Sequence, residues 1–189
     1  MPNALRNGGS GCGIEQRLPN VKIRPFLALQ TAITIAGKSS RRKTEGGAGK
    51  TYLACALGNA ACRNGYSVRY YQSSRLLQKL VMSHADGSYP KFLEALAKTQ
   101  LLILDDWLRN PPSETQTQDL LEIMDDRYKR SSTILSTQIP VSDWHERFAA
   151  PTLSDAIMDR IVHNAYRLEL KGESMRKQKS LTHSGHPDV

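Results

Sequence analysis

The sequence has no uninterrupted apolar stretch of membrane-spanning length, and residues 1–30 lack an apolar core followed by a cleavage site. These two absences argue against a transmembrane helix and against a secretory signal. Cysteine is also scarce, because Cys12, Cys55 and Cys62 are the complete set and their spacing fits neither a metal site nor an even-numbered disulfide framework. We therefore expect a protein of the reducing cytoplasm without a membrane partner.

Acidic residues are nearly missing from residues 1–43, where Glu15 stands against eight Lys and Arg residues. This segment carries a formal charge of +7, whereas the whole chain of 189 residues carries +8. A basic arm favours contact with nucleic acid or another polyanion, and a solvated tail fits the same composition. We assign 1–43 to a basic, poorly ordered arm, 44–177 to a folded core and 178–189 to a disordered tail.

Small residues cluster at 46–51 in the string GGAGKT, which is the end of a G-x-x-x-x-G-K-[ST] phosphate loop. Where side chains are absent, backbone N–H groups can turn towards an anion, and the positive end of the following helix points the same way. Lys50 is predicted to reach the β- and γ-phosphates of a nucleotide, and the Thr51 hydroxyl to bind Mg²⁺. The predicted phosphate-binding residues are Gly46, Gly47, Ala48, Gly49, Lys50 and Thr51.

The residues before this loop depart from the motif. Thr44 stands where the first glycine belongs, and three cations at 41–43 replace the buried apolar strand that normally precedes a phosphate loop. The nearest strand-like run is 32–36, followed by Gly37. Either this run substitutes for the strand, with a long basic loop after it, or the segment before Glu45 is foreign to the domain.

Apolar periodicity from residue 49 onwards alternates between helix and strand. It predicts helices over 49–63, 73–86, 89–98, 113–130, 142–148 and 153–164, and strands over 66–71, 101–104, 132–137 and 165–170. Ser73 or Ser74 and Ser113 are predicted helix caps. Trp107 and Trp144 are expected to pack in the core. This order predicts an α/β fold with a mostly parallel sheet covered by helices on both faces.

The strand at 101–104 reads Leu-Leu-Ile-Leu and ends in Asp105 and Asp106. In a parallel sheet its carboxyl end lies at the same edge as the phosphate loop. Asp105 is therefore predicted to bind Mg²⁺ together with Thr51, and Asp106 to polarise the water that attacks the γ-phosphate. A solvated acidic pair is the alternative.

Five stretches carry a close resemblance to a known family: GAGKTYLACAL, GYSVRYY, LLILDDW, DLLEIMDDRYKRSSTILSTQIPVSDWH and PTLSDAIMDRIVHNAYRLELKGESMRK. From residue 46 to about 177 the chain resembles the IstB family of AAA+ ATPases, which are helper proteins of insertion-sequence transposition related to DnaC-type helicase loaders. The resemblance implies a P-loop NTPase fold of the AAA+ type that uses ATP and Mg²⁺. It also implies a homo-oligomer on DNA that presents target DNA to a partner transposase subunit.

The resemblance also assigns roles to three further residues. Gln138, after the strand at 132–137, stands where AAA+ proteins place the polar sensor of the γ-phosphate, although it could instead cap the turn before Pro140. Arg160 stands where the family supplies an arginine finger to a neighbouring subunit, and the alternative is an ion pair with Asp155 or Asp159 on its own helix. Arg176, in GESMRK, matches a basic position and is a candidate second phosphate sensor.

Family members carry an N-terminal domain, adenine-contacting residues and a first strand before the phosphate loop, and none of these is recognisable in residues 1–45. This pattern suggests an altered or truncated amino-terminal segment, for which we expect weaker stability and weaker ATP binding. Three functions stay open: an ATP-hydrolysing DNA remodeller in transposition, a non-catalytic AAA+ remnant that binds DNA or transposase, and a DnaC-like helicase loader. The GESMRK and VSDWH details favour transposition over helicase loading.

Overall fold

The computed structural model of the protein describes residues 32–37, 49–162 and 165–170. The strands in these residues are β1 (Ala32–Gly37), β2 (Val68–Gln72), β3 (Leu101–Asp105), β4 (Ser132–Thr137) and β5 (Tyr166–Leu170). The α-helices are α1 (Lys50–Arg63), α2 (Ser73–Ala85), α3 (Tyr89–Ala97), α4 (Glu114–Arg127) and α5 (Pro151–Val162). Elements after residue 49 lie close to their predicted positions, except that the predicted helix over 142–148 is two 3₁₀ turns, Val141–Asp143 and His145–Arg147.

The strands form one parallel sheet in the order β2-β3-β4-β1-β5. Strand β1 lies between β4 and β5, where Ile33 is opposite Ile134 on one side and Tyr166 on the other. On the far side of the sheet, β2 pairs with β3 so that Gln72 is opposite Asp105. The predicted α/β fold with a parallel sheet is therefore confirmed, and the carboxyl ends of all described strands face one edge.

The position of β1 corrects part of the sequence analysis. The run at 32–36 does occupy the place of the strand before the phosphate loop, so of the two alternatives the one in which this run substitutes for the strand holds. It also lies within 1–43, so the description of that segment as a poorly ordered arm does not hold for Ala32–Gly37. Burial explains the outcome, because Ile33 and Ile35 are 3% and 0% exposed and their apolar area stabilises the strand despite the cations that follow.

Helices cover both faces of the sheet, as predicted. Helix α1 lies on one face, and the buried residues of this layer are Ile33, Ile35, Ala54, Leu57, Ala61, Leu101, Ile103 and Ile134. On the other face, helices α2 to α5 pack against alternate side chains of the same strands, including Leu102, Leu104 and Leu135. A Cβ atom at Gly58 would lie 2.8 Å from Ile103 Cδ1, so glycine at this position allows α1 to approach β3 closely.

The two predicted serine caps have different outcomes. Ser113 caps α4 as predicted, because its Oγ accepts a hydrogen bond from Gln116 N at 3.3 Å while Gln116 Oε1 accepts one from Ser113 N at 3.0 Å. The cap prediction at Ser73 or Ser74 is wrong, since Gln72 is the cap residue of α2. The Ser73 hydroxyl instead donates to the backbone oxygen of Asp105 at 2.9 Å. It thus joins α2 to the end of β3.

A buried arginine holds the amino end of the sheet together. Arg127, at the end of α4, is 2% exposed. Its Nη1 donates to the backbone oxygens of Leu96 and Thr99 at 2.6 and 2.7 Å, its Nε donates to Thr133 Oγ1 at 3.0 Å, and its Nη2 donates to Ser132 O. Burial lowers the pKa of Arg127 to about 10. The guanidinium therefore links α3 and α4 to the starts of β3 and β4.

Both tryptophans pack in the core, as predicted. Trp107 and Trp144 are 1% and 0% exposed, and their ring centroids are 6.1 Å apart in an edge-to-face arrangement.

In the parts of the chain that the structure describes, none of the helices combines the length and apolarity needed to cross a bilayer.

Candidate functional site

The start of α1 and the ends of β3 and β4 meet at the carboxyl edge of the sheet. Gly49 precedes α1 with φ 78°, a left-handed conformation that glycine adopts without strain. Helix α1 has no side-chain cap, so the first N–H groups of the helix remain available to an anion at this edge. Four predicted site residues lie outside the described residues: Gly46, Gly47, Ala48 and Arg176.

The predicted metal-binding pair is in direct contact. Thr51 Oγ1, in the first turn of α1, donates to Asp105 Oδ2 at 2.8 Å. The phenol of Tyr70, on β2, donates to the same oxygen, also at 2.8 Å. Burial and this hydrogen bond both raise the pKa of Tyr70, so the phenol remains a protonated donor. Asp105 is thereby fixed by two hydroxyl groups from two different elements.

The chemistry of these side chains fits a magnesium ion. Asp105 is 4% exposed, and its Oδ1 is buried without a hydrogen-bond partner, which is costly unless a ligand completes the site. The described residues hold no group of three His, Cys, Asp or Glu side chains that could bind a metal alone. Mg²⁺ suits such a place, because it is commonly held by one or two carboxylates, water and the phosphates of a substrate.

Asp106 is held more loosely than Asp105. Its carboxylate accepts from Gln72 Nε2 at 3.2 Å, from Arg109 Nη1 at 3.4 Å and from Gln138 Nε2 at 3.5 Å. The backbone of Asp106 has φ 54°, a conformation uncommon for a non-glycine residue that recurs at functional sites. The structure therefore brings the predicted γ-phosphate sensor, Gln138, to the predicted water-polarising carboxylate.

Lys50 lies within the electrostatic influence of both carboxylates. Burial lowers the pKa of its ammonium group, and the negative charges of Asp105 and Asp106 oppose that shift. A partly buried cation beside two acids is the arrangement expected where a polyphosphate and its metal are to be bound.

A polar cleft of about 300 Å³ opens on the β2 side of Asp106. Its walls are formed by Gln72, Ser73, Ser74, Asp106, Arg109 and Asn110. Lys50 and Thr51 are not part of this wall. The cleft therefore gives solvent access to Asp106, so that a water molecule can reach the carboxylate.

Arg160 is outside this cluster within one chain. Its guanidinium forms an ion pair with Asp125 of α4, and its Nη1 donates to Ala156 O at 2.8 Å. This ion pair joins Arg160 to another helix, and Asp155 of its own helix contacts His145 at 3.0 Å. Arg160 is about one-third exposed, so its side chain is accessible on the surface of α5.

Three residues of the site were not predicted from the sequence: Tyr70, Gln72 and Arg109. Tyr70 and Gln72 lie on an edge strand, and their role depends on the register between β2 and β3. The side chains of these two residues lie on the same face of the sheet, because successive residues of a strand alternate between faces. The available signal was their position at the end of a strand that adjoins the strand ending in aspartate. Arg109 follows Asp106 by three residues, within the contact range of a tight loop.

Together, the parallel sheet, the glycine-led start of α1 and the aspartates that end β3 define the fold of the P-loop NTPases of the AAA+ type. Comparison with known proteins agrees, because residues 42–183 match the family described as IstB-like ATP binding protein. The chain belongs to this family. The match covers most of the described residues and includes the site but not β1.

Relatives with curated descriptions are insertion sequence ATP-binding proteins. The protein y4pL of Sinorhizobium fredii is 52% identical over 131 residues, which are 69% of this chain and 54% of that protein. The IS21 protein of Pseudomonas aeruginosa is 33% identical over 190 aligned positions, covering 90% of this chain and 72% of that protein. The chain thus spans about half the length of the first of these relatives.

The similarity to the Pseudomonas aeruginosa protein covers 90% of this chain and therefore extends into the residues before 42. A solved structure of the DnaC helicase loader shares the fold, with a TM-score of 0.61 and 23% identity over 79% of this chain and 86% of that one.

Proposed function

We propose that this protein hydrolyses ATP in the presence of Mg²⁺ as an oligomer on DNA and thereby assists a transposase in selecting or remodelling its target. The observation that supports this most directly is the 2.8 Å contact between Thr51 and Asp105 beside Asp106. A hydroxyl at the start of α1 and a carboxylate at the end of β3 are the pair that holds Mg²⁺ in P-loop NTPases.

Within this proposal, different residues bind the phosphates, hold the metal and activate the water. Lys50 and the first N–H groups of α1 bind the phosphates, while Thr51 and Asp105 hold the metal. Bound Mg²⁺ would neutralise the negative charge on the β- and γ-phosphate oxygens. Asp106 would orient the attacking water and take up its proton, and the amide of Gln138, which contacts that carboxylate, would sense the γ-phosphate.

Arg160 supports the oligomeric part of the proposal. It is not among the side chains that contact Asp105 or Asp106 of its own chain, and its accessible position suits a cation that is supplied to the site of a neighbouring subunit. In that assembly the guanidinium would either leave Asp125 or bind Asp125 and the neighbour's phosphates at the same time. Gly46, Gly47, Ala48 and Arg176 complete the phosphate site by resemblance.

Two observations support DNA and a transposase as partners. The relatives are described as insertion sequence proteins, and residues 1–43 carry a charge of +7, which suits a polyanion. Membership of the same family supports the cytoplasmic location and the helper role in this proposal.

The test is ATP turnover by Lys50→Ala, with and without DNA, against Lys91→Ala as a control from the exposed surface of α3. We expect Lys50→Ala to lose turnover by about 100-fold or more, because it removes a preorganised charge from the transition state. ATP with Mg²⁺ should raise the melting temperature of the wild type and the control but not of Lys50→Ala.

Unchanged turnover in Lys50→Ala would contradict ATP hydrolysis at this site. Thermal protection by ATP without turnover, on the other hand, would support a non-catalytic binding module. Binding to a replicative helicase rather than to a transposase subunit in a pull-down would favour a helicase loader.

A further inference from the structure

Tyr70 contacts the predicted metal site from an unexpected direction. It lies on β2, the edge strand of the sheet, opposite Ile103 of β3. Residues that are opposite in a parallel pair share a face, so Tyr70 lies on the α1 side of the sheet with Asp105. The next residue, Tyr71, lies on the other side and packs edge-on against Phe92, with ring centroids 6.3 Å apart.

The Tyr70 side chain is not a core residue. It is 45% exposed, whereas the core side chains on the same face, such as Ile103, are nearly inaccessible. Hydrophobic burial therefore gives a weak reason for a phenol at this position. The specific contact that Tyr70 makes is its hydroxyl hydrogen bond to Asp105, and a phenylalanine would cover the strand edge equally well without it.

Both hydroxyl groups act on the same carboxylate oxygen. Thr51 and Tyr70 each donate to Asp105 Oδ2 at 2.8 Å, while Oδ1 is left buried and unpartnered. Two donors from different elements restrict rotation of the carboxylate, because a turn about its last side-chain bond breaks both hydrogen bonds. The hydroxyl oxygens of Thr51 and Tyr70, which donate hydrogen bonds to Asp105, keep their lone pairs. These lone pairs can bind a cation or a water molecule that is bound to the cation.

We propose that Tyr70 is a positioning residue of the magnesium site, whose hydroxyl fixes Asp105 in the orientation that binds the metal. This inference rests on the proposed nucleotide site and adds a residue from β2 to a pair that comes from α1 and β3. A residue that hydrogen-bonds to a metal ligand fixes the orientation and the basicity of that ligand. Loss of such a residue typically weakens metal binding, although the ligand itself is still present.

The experiment compares Tyr70→Phe with Tyr71→Phe, because both changes remove one hydroxyl group from neighbouring positions on the same strand. The probe is Mn²⁺ with a non-hydrolysable ATP analogue, and bound Mn²⁺ is counted by electron paramagnetic resonance. Affinity for the analogue is also measured in EDTA, without metal. We expect Tyr70→Phe to raise the Mn²⁺ concentration for half-saturation by about 10-fold, the range for loss of one partner of a metal ligand.

The metal-free affinity of Tyr70→Phe for the analogue should equal that of the wild type, and Tyr71→Phe should match the wild type in both measurements. A merely structural role of Tyr70 would weaken binding equally with and without metal, and that result would overturn the proposal. Equal Mn²⁺ affinity in both variants would overturn it as well.

Because the readout is metal binding, failure of the proposed hydrolysis is a separate result. A wild-type protein that binds Mn²⁺ with the analogue but does not turn over ATP loses the ATPase assignment, while a 10-fold weaker Mn²⁺ affinity of Tyr70→Phe still supports the role of Tyr70. A wild type that binds no Mn²⁺ with the analogue overturns both.

Discussion

Each end of the parallel sheet buries one charged side chain, Arg127 at the amino end and Asp105 at the carboxyl end. The two residues are similarly inaccessible, at 2% and 4% exposed. Arg127 donates to three backbone oxygens and a threonine hydroxyl. Asp105 receives two hydroxyl groups on Oδ2 and has no partner on Oδ1.

Under the proposed function, this difference separates a structural charge from one that binds a metal ion. A buried charge with satisfied hydrogen bonds ties elements together, whereas a buried charge with an unused oxygen is stable chiefly when something else binds to it. Asp106 is a third case, since its side chain is 20% exposed and its contacts are 3.2 to 3.5 Å long. The carboxyl edge thus combines one fixed and one adjustable carboxylate.

The largest effect is expected from Asp106→Asn. It should lower ATP turnover by roughly 100- to 10,000-fold, the range for loss of a general base. ATP and Mg²⁺ should still raise the melting temperature, because Thr51 and Asp105 are untouched. Asp126→Asn, near the carboxyl end of α4, is the control. Retained turnover in Asp106→Asn would remove the functional distinction between the two neighbouring carboxylates.

A smaller but clear effect on stability is expected from Arg127→Met. The free energy of unfolding should fall by about 3 kcal/mol, because the buried carbonyls that lose their donor each carry a penalty of about 1–3 kcal/mol. Urea unfolding measures this, with Arg130→Met at an exposed position as the control. A loss no larger than that of the control would show that Arg127 is not a structural charge.

The smallest change in stability is expected from Asp105→Asn in metal-free protein. Its amide oxygen can accept the hydroxyls of Thr51 and Tyr70, and the variant avoids the cost of a buried carboxylate. The free energy of unfolding should therefore stay within about 1 kcal/mol of the wild type. The protection that Mg²⁺ adds to ATP should be lost. A loss of stability as large as that of Arg127→Met would identify Asp105 as a structural residue.

Local pattern was sufficient for most of the fold. The apolar run at 101–104 and the glycine-rich start of α1 have strong signatures, so their positions and their meeting at one edge could be predicted. The sequence leaves strand β1 as one of two alternatives, because basic residues follow it and its position depends on pairing with β4 and β5 rather than on its own sequence.

The contacts of the site were less predictable because they join residues far apart in the chain. Tyr70 and Gln72 reach the aspartates through the register of β2 on β3, which no local pattern specifies. Arg127 stands in the run DDRYKR, where a charged residue is expected to face solvent. The pairing of Arg160 with Asp125 depends on how α5 packs against α4.

The place of β1 also ties the two ends of the described chain together. Within the sheet, β5 is hydrogen-bonded to β1 and to no other described strand. If Ala32–Gly37 detached, Tyr166–Leu170 would lose its anchorage to β2, β3 and β4 at the same moment. The strands β1 and β5 therefore form a single cooperative unit, and a substitution that destabilises β1 should also destabilise β5.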